Sequence, residues 1–178
     1  YVDVGGYNGR AGAYRLLLEQ IAIPVNPVAE AAEPNGDPRN GGNPTPIGCG
    51  QTGTGEVLGQ GGGPPGGDDD WWAFTVTREG WITVRTLPDT ATLTGFGPIG
   101  DTELWIHDAQ YNQRAYDDDG NTGLFSEASA WLEPGSYFAR VEGYGTANVG
   151  TYYVTVSCDG GGAPGFVTFA GDRHVVGA

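Results

Sequence analysis

Alternating apolar and polar positions recur along the chain in short runs. They cover Trp71–Thr77, Trp81–Thr86, Glu103–His107, Gln113–Tyr116, Ala128–Leu132, Ser136–Val141 and Thr151–Ser157, with a shorter run at Gly55–Leu58. A period of two sends successive side chains to opposite faces, which is the mark of a strand with one face in a core. Turn residues bound the runs, as at Glu79-Gly80, Asp117–Gly120 and Glu133-Pro134-Gly135. No segment holds a helical period over ten or more residues; Leu-rich Ala11–Gln20 comes nearest. About eight short strands with this punctuation predict an all-β fold, an antiparallel, jelly-roll-like β-sandwich.

The pattern also repeats. Tyr1–Tyr7 and Gly12–Leu18 can be laid on Phe138–Tyr144 and Gly150–Val156, each pair reading as a strand ending in Val-x-Gly-Tyr, a Gly/Asn loop, and a second strand opened by Gly-x-Tyr. Residues 1–20 therefore read as the closing hairpin of a preceding sandwich, or as a hairpin donated to a neighbour. Residues 21–54, with six prolines between Pro24 and Pro46, read as a linker. The sandwich itself is expected at 55–158, and 159–178 as a Gly-rich hinge with a strand-like tail.

Composition narrows the partners. Across 178 residues, 22 acidic side chains face 8 basic ones, all arginine, for a formal charge of −14. Such a surface repels phosphate backbones and anionic lipid, so neither nucleic acid nor a membrane surface is an expected partner. No apolar run approaches the length of a membrane span. A chain that starts at Tyr1 and holds no Met reads as a processed product or a piece of something longer, and a removed leader is compatible with secretion to the exterior or the cell surface. Cys49 and Cys158 cannot form a zinc site by themselves. An even count in an acidic, exported chain favours a disulfide between them, with two separate buried thiols as the alternative.

Several motifs follow in a definite order: Glu33-Pro34-Asn35, Gly67–Phe74, Gly80–Val84, Asp101–Ile106, Ala115–Gly120, Leu132–Phe138 and Gly150–Val156. In this order they resemble the bacterial pre-peptidase C-terminal domain family, small β-sandwiches appended to secreted peptidases and other exported proteins. Two departures stand out: the stretch between Asn35 and Asp68 is longer and richer in glycine than the family's connector, and Gly36 stands where Asp or Asn normally follows. Resemblance to the related collagen-binding modules of clostridial collagenases implies calcium between linker and strand.

The acidic clusters fit that ion, because Ca²⁺ takes six to eight oxygens from carboxylates and carbonyls. In Asp68-Asp69-Asp70, alternation sends Asp68 and Asp70 to one side, where Glu33, Asn35 and Asp37 can approach from the linker. In the second cluster, Asp117, Asp118 and Asp119, with Asn121, can face Asp101 if the strands pair in the family's order. The alternative is that both aspartate runs are solvated turns. Catalytic patterns are weak: His107 lies in an alternating strand, His174 in the tail, and no serine sits in a nucleophile elbow. Of Trp71, Trp72, Phe74, Trp81, Trp105 and Trp131, about half are expected in the core, while one of Trp71 and Trp72 must point outward or under a loop.

The leading expectation is a non-catalytic extracellular module with a structural or assembly role, stabilised by calcium. Its hairpin (Tyr1, Val2, Val4, Tyr7, Tyr14, Leu16, Leu18) would complete a neighbouring sandwich by strand addition, in a head-to-tail filament or surface layer. Tandem neighbouring domains are the alternative partner. The rival function is an accessory domain of a secreted hydrolase or peptidase that binds an extracellular polymer or assists secretion.

Overall fold

The structure, a computed structural model, describes residues 27–32, 35–58, 68–89, 99–145 and 148–158. The hairpin expected at 1–20, with all seven of its named side chains, lies outside the described residues, as do Glu33 and the tail from 159 onward. Among the described residues, ten strands form two sheets: β1 (Val28–Ala29), β2 (Thr45–Pro46), β3 (Thr52–Val57), β4 (Asp69–Val76), β5 (Gly80–Pro88), β6 (Thr102–Asp108), β7 (Gln113–Asp117), β8 (Glu127–Leu132), β9 (Gly135–Gly143) and β10 (Gly150–Ser157). The first sheet has the order β1-β3-β10-β5-β8 and the second β2-β4-β9-β6-β7. Without the two-residue edge strands, the remaining eight follow the jelly-roll order, antiparallel throughout, as the alternation predicts.

The stretch expected as a linker takes part in both sheets. β1 pairs with β3 and β2 with β4, each in parallel, so the segment between them crosses from the edge of one sheet to the edge of the other. Pro46 is tolerated because an edge strand needs no second row of donors. Two residues are too few to show a period, which is why the pattern of the sequence is silent there.

Alternation places the core. Trp72, Phe74 and Val76 of β4, Ile82 and Val84 of β5, Leu104 and Ile106 of β6, Ala139 and Val141 of β9, and Val154 and Val156 of β10 all point between the sheets. β3 supplies glycine where its neighbours supply rings: a Cβ on Gly53 would come within 2.4 Å of the Trp72 ring, and one on Gly55 within 2.4 Å of Tyr152. The room so made holds a buried polar chain, in which Trp72 Nε1 donates to Tyr152 Oη at 2.9 Å and Tyr152 Oη donates to Asp70 Oδ2 at 2.6 Å. Burial, reinforced by Asp70, pushes the Tyr152 phenol well above its ordinary pKa, so it remains a donor.

The cysteines form a disulfide with their Cα atoms 5.3 Å apart. It joins the turn before β3 to the residue after β10, next to the bond from Gly50 N to Val156 O at 2.7 Å. At the other margin β7 touches β8, so an edge of one sheet closes on an edge of the other.

Candidate functional site

Where those two edges meet, the end of β7 and the loop after it carry three aspartates that divide their work. Asp117 ends the strand and turns its carboxylate back on the backbone: Oδ2 accepts from Gly120 N at 2.6 Å and from Glu127 N at 2.7 Å. The turn is tight enough that a Cβ on Gly120 would meet the Asp117 carboxylate at 2.5 Å. This leaves Asp118 and Asp119 to face Asp101, just before β6, and one carboxylate oxygen from each lies within 4.8 Å of the others. A calcium ion with ligands at about 2.3–2.6 Å fits a spacing of that size.

The electrostatics point the same way. Burial, then the negative charges of Asp118, Asp119 and Glu103, hold the Asp101 carboxyl above the ordinary range, and burial with Asp119, Glu103 and Asp117 does the same to Asp118. Asp101 Oδ1 and Asp118 Oδ1 are buried without a hydrogen-bond partner among the described residues. A buried carboxylate oxygen left so is costly unless a cation meets it. Thr86, Thr102 and Ser126 lie behind the cluster, fully buried and joined through their hydroxyls at 2.7 and 3.1 Å, and Ser126 Oγ also reaches the Asp118 carbonyl at 2.8 Å. These groups anchor the loop, so the acids are held together by the fold.

The first acidic cluster is arranged differently. Asp37 caps the short 3₁₀ turn Pro38–Asn40 and pairs with Arg39 at 2.7 Å, and that hydrogen-bonded guanidinium holds its carboxyl below the ordinary range. Asp68 Oδ2 accepts from Leu58 N at 2.7 Å. Asp70 is buried against Tyr152, while Asp69 faces the other side and pairs with Arg140 at 2.7 Å. Asn35 is fully buried and donates from Nδ2 to the Ala31 carbonyl at 3.3 Å. Among the described residues, Asp101, Asp118 and Asp119 are the acids brought together at ligand spacing.

Outside the second sheet the aromatics form a covered layer. Trp71 points outward yet is buried, under His107 stacked at 5.1 Å, the ring edges of Tyr111 and Phe138, and the Arg39 guanidinium. Tyr111 is held there with φ +64°, in a loop whose amides at Gln110 and Asn112 are tied to Asp108 Oδ1. His107 has Nδ1 at 3.2 Å from the Tyr111 carbonyl, and burial pushes its pKa down. Neither the capping role of Asp117 nor the arginine lid on Trp71 has a sequence signal of its own. Both depend on loop geometry.

No family model matches the chain, and no curated protein matches it. Among solved structures it is similar to the pre-peptidase C-terminal domain of a collagenase from Bacillus anthracis, at 25% identity and a TM-score of 0.47, over 64% of this chain and 93% of that one. It is also similar, at 13% identity and a TM-score of 0.26, to a β-glucosidase from Paenibacillus barengoltzii, over 74% of this chain and 13% of that one. The architecture rests on the strand order itself: the described chain is an all-β jelly-roll sandwich.

Proposed function

We propose that this chain is a non-catalytic extracellular β-sandwich module with a structural role, held in its folded form by calcium at Asp101, Asp118 and Asp119. The observation that carries the reading is the convergence of these three carboxylates, two of whose oxygens are buried with no hydrogen-bond partner among the described residues. The ion would supply charge compensation and fasten the β7–β8 loop to the start of β6. The disulfide supports an oxidising, extracellular setting. In keeping with a non-catalytic reading, His107 Nε2 is buried with no hydrogen-bond partner among the described residues and Nδ1 faces a backbone carbonyl, which leaves this imidazole no access to a substrate.

Thermal unfolding with millimolar calcium and with chelator tests the ion. A ligand that binds the folded state raises Tm by mass action, and superimposable melting curves would remove calcium from the reading. The assembly part rests on the repeated hairpin of the sequence, Tyr1–Tyr7 with Gly12–Leu18. Light scattering over a wide concentration range checks it: growth into multimers is expected, and a constant monomer mass would sink it.

A further inference from the structure

The outer face of the first sheet carries a feature that the carboxylate site does not use. Trp81 and Trp131 are direct cross-strand partners on β5 and β8, both outward, and remain 54% and 52% exposed. Their rings stand at 85° with centroids 6.2 Å apart, which makes an open, L-shaped step of indole. The next outward pair along the same strands is Thr83 and Ser129, whose hydroxyls meet at 2.8 Å. After it come Arg85 and Glu127, joined by two hydrogen bonds of 2.7 and 3.1 Å. From indoles to ion pair the track covers four residues of strand, about 13 Å.

Exposed paired tryptophans on a sheet face mark a contact surface rather than leftover core. The chemistry of the track selects the occupant. Its charges cancel within one Arg–Glu pair, on a chain of net charge −14. An anionic ligand is repelled by the remainder of the surface, and a cationic one gains nothing at this neutral place. The exposed apolar area is that of two half-covered indoles, roughly 250 Å², below the roughly 450 Å² of apolar surface that each side of a stable protein interface buries. A narrow, neutral chain with both C–H faces and hydroxyls matches: its C–H faces lie against the electron-rich indole, and its hydroxyls exchange hydrogen bonds with Thr83, Ser129, Arg85 and Glu127.

We propose that the Trp81–Trp131 step and the polar ladder beside it bind a neutral polysaccharide. The proposal shares no residue with Asp101, Asp118 and Asp119, so it stands or falls apart from the calcium reading. The full chain is tested by tryptophan fluorescence titration with cellohexaose and chitohexaose, and by retention on insoluble cellulose and chitin. Expected are saturable quenching or a blue shift with at least one of these glycans, insensitivity to added salt, and at least tenfold weaker binding in Trp81→Ala and in Trp131→Ala. Ser129→Arg, which keeps both indoles and obstructs the track, is expected to weaken binding similarly, and Gln110→Ala, in an exposed loop of the other sheet, to leave it unchanged. Circular dichroism checks that each variant remains folded. The proposal is overturned if the wild-type chain binds none of the four glycans, or if folded Trp81→Ala and Ser129→Arg bind as the wild type does. It is overturned equally if Trp81→Ala abolishes a concentration-dependent dimer, for then the step is a protein interface.

Discussion

At the scale of single residues, neighbouring aspartates differ because their partners differ. Asp117 is satisfied by two amide donors, whereas Asp118 looks into a pocket of like charge. A carboxyl whose folded pKa lies above its unfolded value contributes stability at pH below the unfolded value and loses it as pH rises through the folded one. At neutral pH without an ion, Asp101 and Asp118 therefore oppose folding. Asp118→Asn should raise Tm in chelator and erase the rise that calcium gives the wild type; a variant that still responds fully to calcium would show that Asp118 is no ligand. His107 has the opposite linkage. Burial beside Trp71 lowers its pKa from 6.5, so its contribution is present above about pH 6.5 and is lost as pH falls through that value toward the folded one. Between about pH 7.5 and pH 5, the wild type should lose more Tm than His107→Phe, and parallel profiles would show that folding leaves the ring's pKa unshifted.

At the scale of elements, β3 shows how much a strand can do by lacking side chains. Its two inward glycines clear the space that Trp72 and Tyr152 fill, and with it the buried chain from indole to phenol to Asp70. Gly55→Ala should cost about 1–3 kcal/mol by overpacking, read from urea unfolding, with Tyr152 displaced from Asp70. Alternation made the longer strands legible, since the observed ends differ from the expected ones by a few residues at most and Trp72, Phe74, Ile82 and Val154 point inward as a period of two requires. β1 and β2 were not legible, because their pairing is dictated by the sheet edges they reach. The acidic loop was legible in its composition but not in its roles: which aspartate caps and which converge depends on the turn closed at Gly120. Nor does periodicity alone place Trp81 against Trp131, because that contact needs the register between two strands nearly fifty positions apart.

At the scale of the whole molecule, the disulfide closes a loop of 109 positions that contains β3 to β10. Restricting so long a loop in the unfolded chain makes the bond worth about 2–5 kcal/mol. The double variant Cys49→Ser, Cys158→Ser should lose stability of that order in urea unfolding, and an unchanged midpoint would mean that the reduced chain is equally constrained. Calcium, if bound, fastens the opposite margin, so the two locks should act additively, being far apart and sharing no residue. The position of the disulfide has a mechanical consequence. Tension entering before Cys49 and leaving after Cys158 runs from sulfur to sulfur and bypasses the sandwich. Among the described residues, what stands in the load path is the segment before Cys49, held by the short pairings of β1 and β2, by Ile47 in the core and by Arg39 over Trp71, and it can peel away while the sandwich stays closed. In single-molecule pulling, the oxidised chain should release none of the length between its cysteines, whereas reduction should free roughly 350 Å of slack in one rupture. The fold would then act as a link of constant length for as long as its surroundings remain oxidising.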